Sequence, residues 1–263
     1  MACRICGPGA SSRWATLLGK IENKKYPIHK WFQDKKIMQD IILNTKEAFH
    51  LDVPGGEPLL VEIKEHYQYL EQLIKNGTAK NISLHYTTNG TTFPKVEHLE
   101  LWNKFKEVDL QISIDDIEER YEYNRWPAKW PQVYNNLKKY QLLSKNNKQI
   151  RLSLSFTVSA FTILYAERFV RWCVKEKLPM PWMGVVDTPY HYRPSVLPNE
   201  AKIKINDILQ TSNIKRVKKL GEILFLDDKS HYQTFVDKVQ QFDQIRKQSF
   251  QNTFPELSEM IKF

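Results

Sequence analysis

Cys3-Arg4-Ile5-Cys6 opens the chain, and Gly55-Gly56-Glu57-Pro58 follows about fifty positions later. Two thiolates at i and i+3 can grip one metal centre. Two successive glycines let the backbone approach a ligand closely, because neither carries a Cβ, and Glu57 then faces that ligand with a carboxylate suited to a cationic amine. Alone, Gly-Gly-Glu-Pro reads as a turn between strand and helix; with a Cys-x-x-Cys upstream, it reads as part of a cofactor site. The chain has three cysteines, an odd number, so a disulfide framework is disfavoured and metal ligation or redox chemistry is the better use of the pair. Cys173 shares a helical face with Phe169 and Val170 and is expected to be a buried core thiol. The histidines are scattered without a close ligand pair. His191, in Asp187-Thr188-Pro189-Tyr190-His191-Tyr192-Arg193-Pro194, is the one placed after a strand, where it could meet substrate.

The elements that must position these groups alternate as apolar strands and amphipathic helices, the pattern of parallel strands joined by crossover helices. A helix over 35–45 leads to a strand over 47–53 that delivers Gly55 and Gly56. Leu59, Leu60, Ile63, Tyr67, Leu70, Leu73 and Ile74 recur at three and four, which predicts a helix stopped by Asn76-Gly77. A strand over 81–86 ends in Thr87-Thr88-Asn89-Gly90, and a helix over 94–106 starts with proline in its first turn. Val108, Leu110, Ile112 and Ile114 alternate strictly, so a strand over 108–114 carries Ser113, Asp115 and Asp116 to its C-terminal end. Helices over 130–144 and 164–177 flank a strand over 151–159, and a last strand covers 182–186. Polar and glycine-rich motifs fall after strands, where connecting loops vary without disturbing the packed interior. Beyond Pro198 the pattern is helical and polar, with helices over 199–209, 214–223 and 232–250.

Composition suits a folded chain with a substantial core: 263 residues, 41% hydrophobic, 12% aromatic and 26% charged. The net charge of +9 raises a nucleic-acid or acidic partner, but the lysines are spread along surface helices instead of gathered in blocks, which weighs against nucleic acid. No stretch approaches the roughly 18 consecutive apolar residues of a membrane span, and no signal-peptide pattern is present, so a cytoplasmic location is expected. Trp126, Trp130, Trp182, Tyr190 and Tyr192 either line a substrate opening or pack in core and rim.

The pairing of Cys-x-x-Cys with Gly-Gly-Glu-Pro resembles the radical S-adenosylmethionine (radical SAM) superfamily, whose signature is CxxxCxxC after a first barrel strand and GGEP after the second. Cys3 and Cys6 match the last two cysteines of that signature. Around Cys6-Gly7-Pro8-Gly9-Ala10-Ser11-Ser12-Arg13-Trp14, Arg120–Trp130 and Phe242-Asp243-Gln244-Ile245-Arg246 with Phe254-Pro255-Glu256-Leu257, the chain is similar to uncharacterised twitch-domain-containing radical SAM proteins. The resemblance implies an α/β partial (β/α)6 TIM-like barrel over 1–197 and a helical C-terminal extension over 198–263. It implies a 4Fe-4S cluster held by Cys3 and Cys6. SAM would be bound by Gly55, Gly56, Glu57 and Pro58, which take its amino group, with Thr88, Asn89, Ser113 and Asp115 on the same rim and Asp115 toward the ribose hydroxyls. It further implies an electron donor such as flavodoxin or ferredoxin and a peptide or protein substrate.

Three departures from the family pattern stand out. The first signature cysteine would fall just before residue 1, so the resemblance implies an N-terminally truncated chain lacking one cluster ligand and the barrel's first strand. Asp116 stands where relatives usually carry glycine. No cysteine follows Cys173, so the C-terminal region holds no ligands for an auxiliary cluster. Two other readings stay open: a non-catalytic basic module whose Cys-x-x-Cys binds zinc or nothing, and an RNA-modifying radical SAM enzyme.

Overall fold

Strands form where apolar side chains alternate, since every second residue points to one face. In the computed structural model these are β1 (His50–Val53), β2 (Ser83–Thr88), β3 (Glu107–Ser113), β4 (Ile150–Val158) and β5 (Trp182–Val185). The structure describes residues 1–9, 11–28, 31–53, 56–60, 64–226 and 231–263. Gly55 lies outside them, as do Ala10, His29 and Ile63.

The five strands form one sheet in the order β1-β2-β3-β4-β5. Parallel registers run His50↔Ser83 to Val53↔Tyr86, Ser83↔Glu107 to Thr88↔Ile112, and Ser155↔Trp182 to Val158↔Val185. Val108 N–H donates to Gln149 O at 2.8 Å, and Ile114 N–H to Ser155 O at 2.8 Å, between β3 and the β4 segment. A sequential, all-parallel order is what right-handed βα crossovers produce. The expected α/β partial barrel with a helical C-terminal region is therefore present. The C-terminal ends of β2, β3 and β5 lead into residues 87–90, 113–116 and 187–194, three of the motifs singled out above.

The chain divides into two compact units: Met1, Gly7–Ser113 and Pro131–Leu154 in one, Ala2–Cys6, Ile114–Trp130 and Ser155–Phe263 in the other. In the first, the core holds Leu70, Leu84, Tyr86, Trp102, Val108, Leu110 and Leu137. In the second it holds Tyr123, Phe156, Phe161, Phe169, Cys173, Phe235 and Phe254, confirming the buried position expected for Cys173.

Helix boundaries differ from the sequence expectation for identifiable reasons. The helix expected from Leu59 is described from Lys64 to Lys75; at 57–59 the chain turns, because the Glu57 carboxylate accepts the Leu59 N–H at 3.2 Å. Pro94 precedes the helix Val96–Trp102 instead of sitting in its first turn. The long helix expected over 232–250 ends at Arg246, where Lys247 enters the left-handed region at φ 53°. Helices Ser12–Glu22, Glu118–Asn124 and Pro255–Ile261 were not expected from periodicity. The first is started by Ser11, whose hydroxyl accepts the Trp14 N–H at 3.2 Å, a standard N-cap.

Candidate functional site

Three residues marked separately in the sequence meet in the first unit. Glu57 is buried after β1, and its Oε1 accepts the Thr88 hydroxyl at 2.6 Å while Oε2 accepts the Asn89 N–H at 2.8 Å. Thr88 ends β2 and Asn89 follows it, so two strand ends share one carboxylate. Burial raises the Glu57 pKa above its ordinary value, with the bonds from Thr88, Asn89 and Leu59 working the other way. A carboxylate held in this way favours a cationic group beside it. Pro58 is buried, and Gly56 is exposed at φ 55°, the left-handed conformation glycine enters freely.

The loop after β2 is fixed on its other side. Gly90 N–H donates to Thr88 Oγ1 at 3.2 Å, and Asn136 Nδ2 donates to Gly90 O at 3.0 Å. Gly90 takes φ +72°, and a Cβ there would lie 3.0 Å from Ile112 Cγ2 and 3.4 Å from Val133 Cγ1. Gly90→Ala is expected to cost about 1–2 kcal/mol from the left-handed backbone, read as a lower urea midpoint; an unchanged midpoint would refute this conformation. Ser113 is half-buried at the end of β3.

In the second unit the cysteine segment lies along the chain that follows helix Glu118–Asn124. Ala2 N–H donates to Trp126 O at 2.9 Å and Arg4 N–H to Asn124 O at 2.8 Å, while Cys6 N–H donates to Cys3 O at 3.1 Å and turns the two thiols together. Cys3 is lowered to about 7, chiefly because the Cys6 thiol hydrogen-bonds to it, with Arg125 adding to the effect against burial and Asp115. Cys6 is raised in turn, first by that hydrogen bond and then by burial.

Arg125 is buried and pairs with Asp115, Nη2 to Oδ2 at 2.8 Å. Asp115 Oδ1 accepts the Thr157 N–H from β4 at 2.9 Å. Sequence reading missed Arg125; the available signal was a lone arginine within the aromatic run Tyr121–Trp130. Asp116 does not stand as a free extra carboxylate. It accepts the Ile117 N–H at 2.8 Å and pairs with Arg120 Nε at 2.7 Å, so its charge is matched by the first turn of the helix that follows.

His191 is half-buried, packed edge-on to Tyr192 at 4.2 Å between ring centroids. Burial, with Lys238 and His231 nearby, lowers its pKa to about 4, which leaves it neutral at pH 7. Tyr192 is buried, whereas Trp182 and Tyr190 are largely exposed.

A four-iron cluster of the implied type takes three thiolates and leaves one iron for SAM. The Cys3–Cys6 turn has the donors for two of those positions. Among the described residues, no group of three or more His, Cys, Asp or Glu side chains converges on a metal position. Cys3 and Cys6 would thus offer two of the three thiolates that such a cluster takes. Among the described residues, no helix is long and apolar enough to cross a membrane.

No protein-family model matches the chain, and no curated protein does. Solved structures do. Native anSMEcpe with bound AdoMet and Cp18Cys peptide matches with a TM-score of 0.51 at 14% identity, over 68% of this chain and 51% of that one. Native anSMEcpe with bound AdoMet matches with a TM-score of 0.50 at 14% identity, over 68% and 51%. Streptococcus suis SuiB bound to S-adenosylmethionine matches with a TM-score of 0.41 at 14% identity, over 66% and 38%. The chain thus spans about half the length of the anSMEcpe structures it matches. At this identity the likeness shows the fold alone: an α/β chain of parallel strands resembling that of anSMEcpe.

Proposed function

We propose that this chain is a radical SAM enzyme, or a part of one, that binds SAM through the Glu57 loop and a 4Fe-4S cluster through Cys3 and Cys6. The observation that carries the reading is the convergence of Glu57, Thr88 and Asn89 on one buried carboxylate. It gives Glu57 surroundings suited to an ammonium group, and the Cys-x-x-Cys turn offers two thiol donors for a metal. The fold likeness to anSMEcpe, solved with AdoMet, supports it.

In this reading Gly55, Gly56 and Pro58 join Glu57 in binding SAM. Glu57 orients the SAM amine, while Thr88 and Asn89 hold Glu57. Ser113 and Asp115 serve the ribose side, Asp115 through lone pairs that Thr157 and Arg125 leave on its carboxylate, since a carboxylate offers about four. The chemistry supplied by a bound cluster is one-electron reduction of SAM to methionine and a 5′-deoxyadenosyl radical, which abstracts hydrogen from the substrate. The protein's own residues bind, orient and exclude water. A peptide or protein side chain is the proposed substrate, because anSMEcpe is solved with a peptide bound; flavodoxin or ferredoxin is the proposed electron donor, in the cytoplasm.

Anaerobic reconstitution with iron and sulfide tests the metal half. Wild type is expected to retain both, Cys3→Ala and Cys6→Ala to lose most of both, and Cys173→Ala to behave as wild type. Zinc without sulfide in the wild type would instead support a non-catalytic module.

A further inference from the structure

Arg4 lies between the two cysteines in sequence, and an arginine at such a position is ordinarily solvated. Here it is 1% exposed. Its Nη2 donates to Asp243 Oδ1 and, at 3.3 Å, to Gln248 Oε1. Its guanidinium lies 3.8 Å from the centroid of the Tyr123 ring, a cation–π stack that burial strengthens.

The receiving turn is itself well tied. After Lys247 reverses the chain, Gln248 N–H donates to Asp243 O at 3.0 Å, and Phe250 N–H donates to Asp243 Oδ2 at 2.6 Å. Gln248 Nε2 reaches Glu122 O at 3.2 Å, on the same helix that carries Tyr123. The cysteine segment is thus held on two sides. Its backbone pairs with Asn124 and Trp126, and its one long side chain is locked into the turn after helix Tyr232–Arg246.

We propose that this C-terminal turn is a clasp that sets the conformation of the cysteine loop, and that Asp243, which is not a metal donor, is a positioning residue for metal binding at Cys3 and Cys6. The metal role rests on the reading of the cysteine pair given above; the clasp itself does not. Metal that binds the clasped loop tightly and the open loop weakly must in turn stabilise the clasp, because the coupling is reciprocal. The C-terminal helices then have a function that their distance in sequence from the cysteines conceals.

The test has two arms on the full chain. Amide hydrogen exchange reads the loop without metal. Asp243→Asn is expected to speed exchange at residues 2–6 by about a hundredfold, the order expected when a buried charge loses its partner, while the strand Glu107–Ser113 stays unchanged. Thiolate-to-metal absorbance in an anaerobic Cd²⁺ titration reads the site. Asp243→Asn is expected to weaken Cd²⁺ at least tenfold, and Asp243→Glu to restore much of that affinity. Gln248→Ala, a milder change, is expected to move both readouts two- to fivefold in the same direction, which covers a failure of the first variant to fold. Unchanged exchange in the folded variants overturns the clasp. Faster exchange with unchanged Cd²⁺ affinity overturns the positioning role. A wild type that takes up no Cd²⁺ overturns the metal reading and the positioning role with it, leaving exchange to decide the clasp.

Discussion

Glu57→Gln is expected to weaken SAM binding by about 2–5 kcal/mol, roughly thirtyfold or more in Kd, the usual loss when one partner of a buried, hydrogen-bonded charge pair is neutralised. The amide keeps one oxygen, so it can satisfy some of the donors that now reach the carboxylate from Thr88, Asn89 and Leu59. The remaining donor faces an amide NH₂, and leaving it unmatched adds about 1–3 kcal/mol of destabilisation. Calorimetric titration alongside a urea melt separates the two effects. Thr88→Val serves as a control, disturbing the same carboxylate while preserving its charge.

The same group predicts a pH dependence. The folded pKa of Glu57 is raised above its ordinary 4.5, so its contribution to stability is present below that value and is lost as pH rises through the folded value. A cationic ligand reverses the sense, because it favours the ionised form. SAM affinity is therefore expected to rise with pH through the Glu57 titration, by up to about tenfold per pH unit below its pKa, and to be flat in that range for Glu57→Gln. A wild type with the same flat profile would remove Glu57 from the site.

Asp115→Asn is the substitution expected to damage the fold most. Asp115 is 2% exposed and is paired with buried Arg125 at 2.8 Å. Asparagine still accepts the Thr157 N–H, so the change isolates the charge. Stranding a buried guanidinium costs about 3–5 kcal/mol, whereas replacing both partners with apolar groups is often neutral. Asp115→Asn should therefore lower the urea midpoint sharply, and Asp115→Leu combined with Arg125→Met should recover much of it. Similar midpoints for Asp115→Asn and wild type would show that the pair carries no net charge penalty.

The strands were legible because a half-buried strand writes its period of two directly into Leu84, Tyr86, Val108, Leu110 and Ile112. Turn chemistry was less so. Nothing local announces that the Glu57 carboxylate captures Leu59 N–H, or that Asp243 captures Phe250 N–H and ends a helix the periodicity would continue. Both are side-chain bonds that compete with helix formation, the usual reason such boundaries shift. The site was legible as residue types and not as contacts. Glu57, Thr88 and Asn89 stood out individually, but their meeting spans 31 and 32 residues. Arg125 left only the weak signal of a lone arginine in an aromatic run, and the Arg4–Asp243 pair left none, since it spans 239 residues.

Assay of 5′-deoxyadenosine from SAM under dithionite after anaerobic reconstitution decides whether the chain carries radical SAM chemistry. The 263-residue chain and a form extended upstream, with a cysteine four positions before Cys3, are compared. The extended form is expected to yield 5′-deoxyadenosine, its Cys3→Ala and Cys6→Ala variants to lose it, and the two-cysteine chain to yield little or none. A fully loaded iron–sulfur cluster in the extended form, with SAM left uncleaved, would contradict the radical SAM reading.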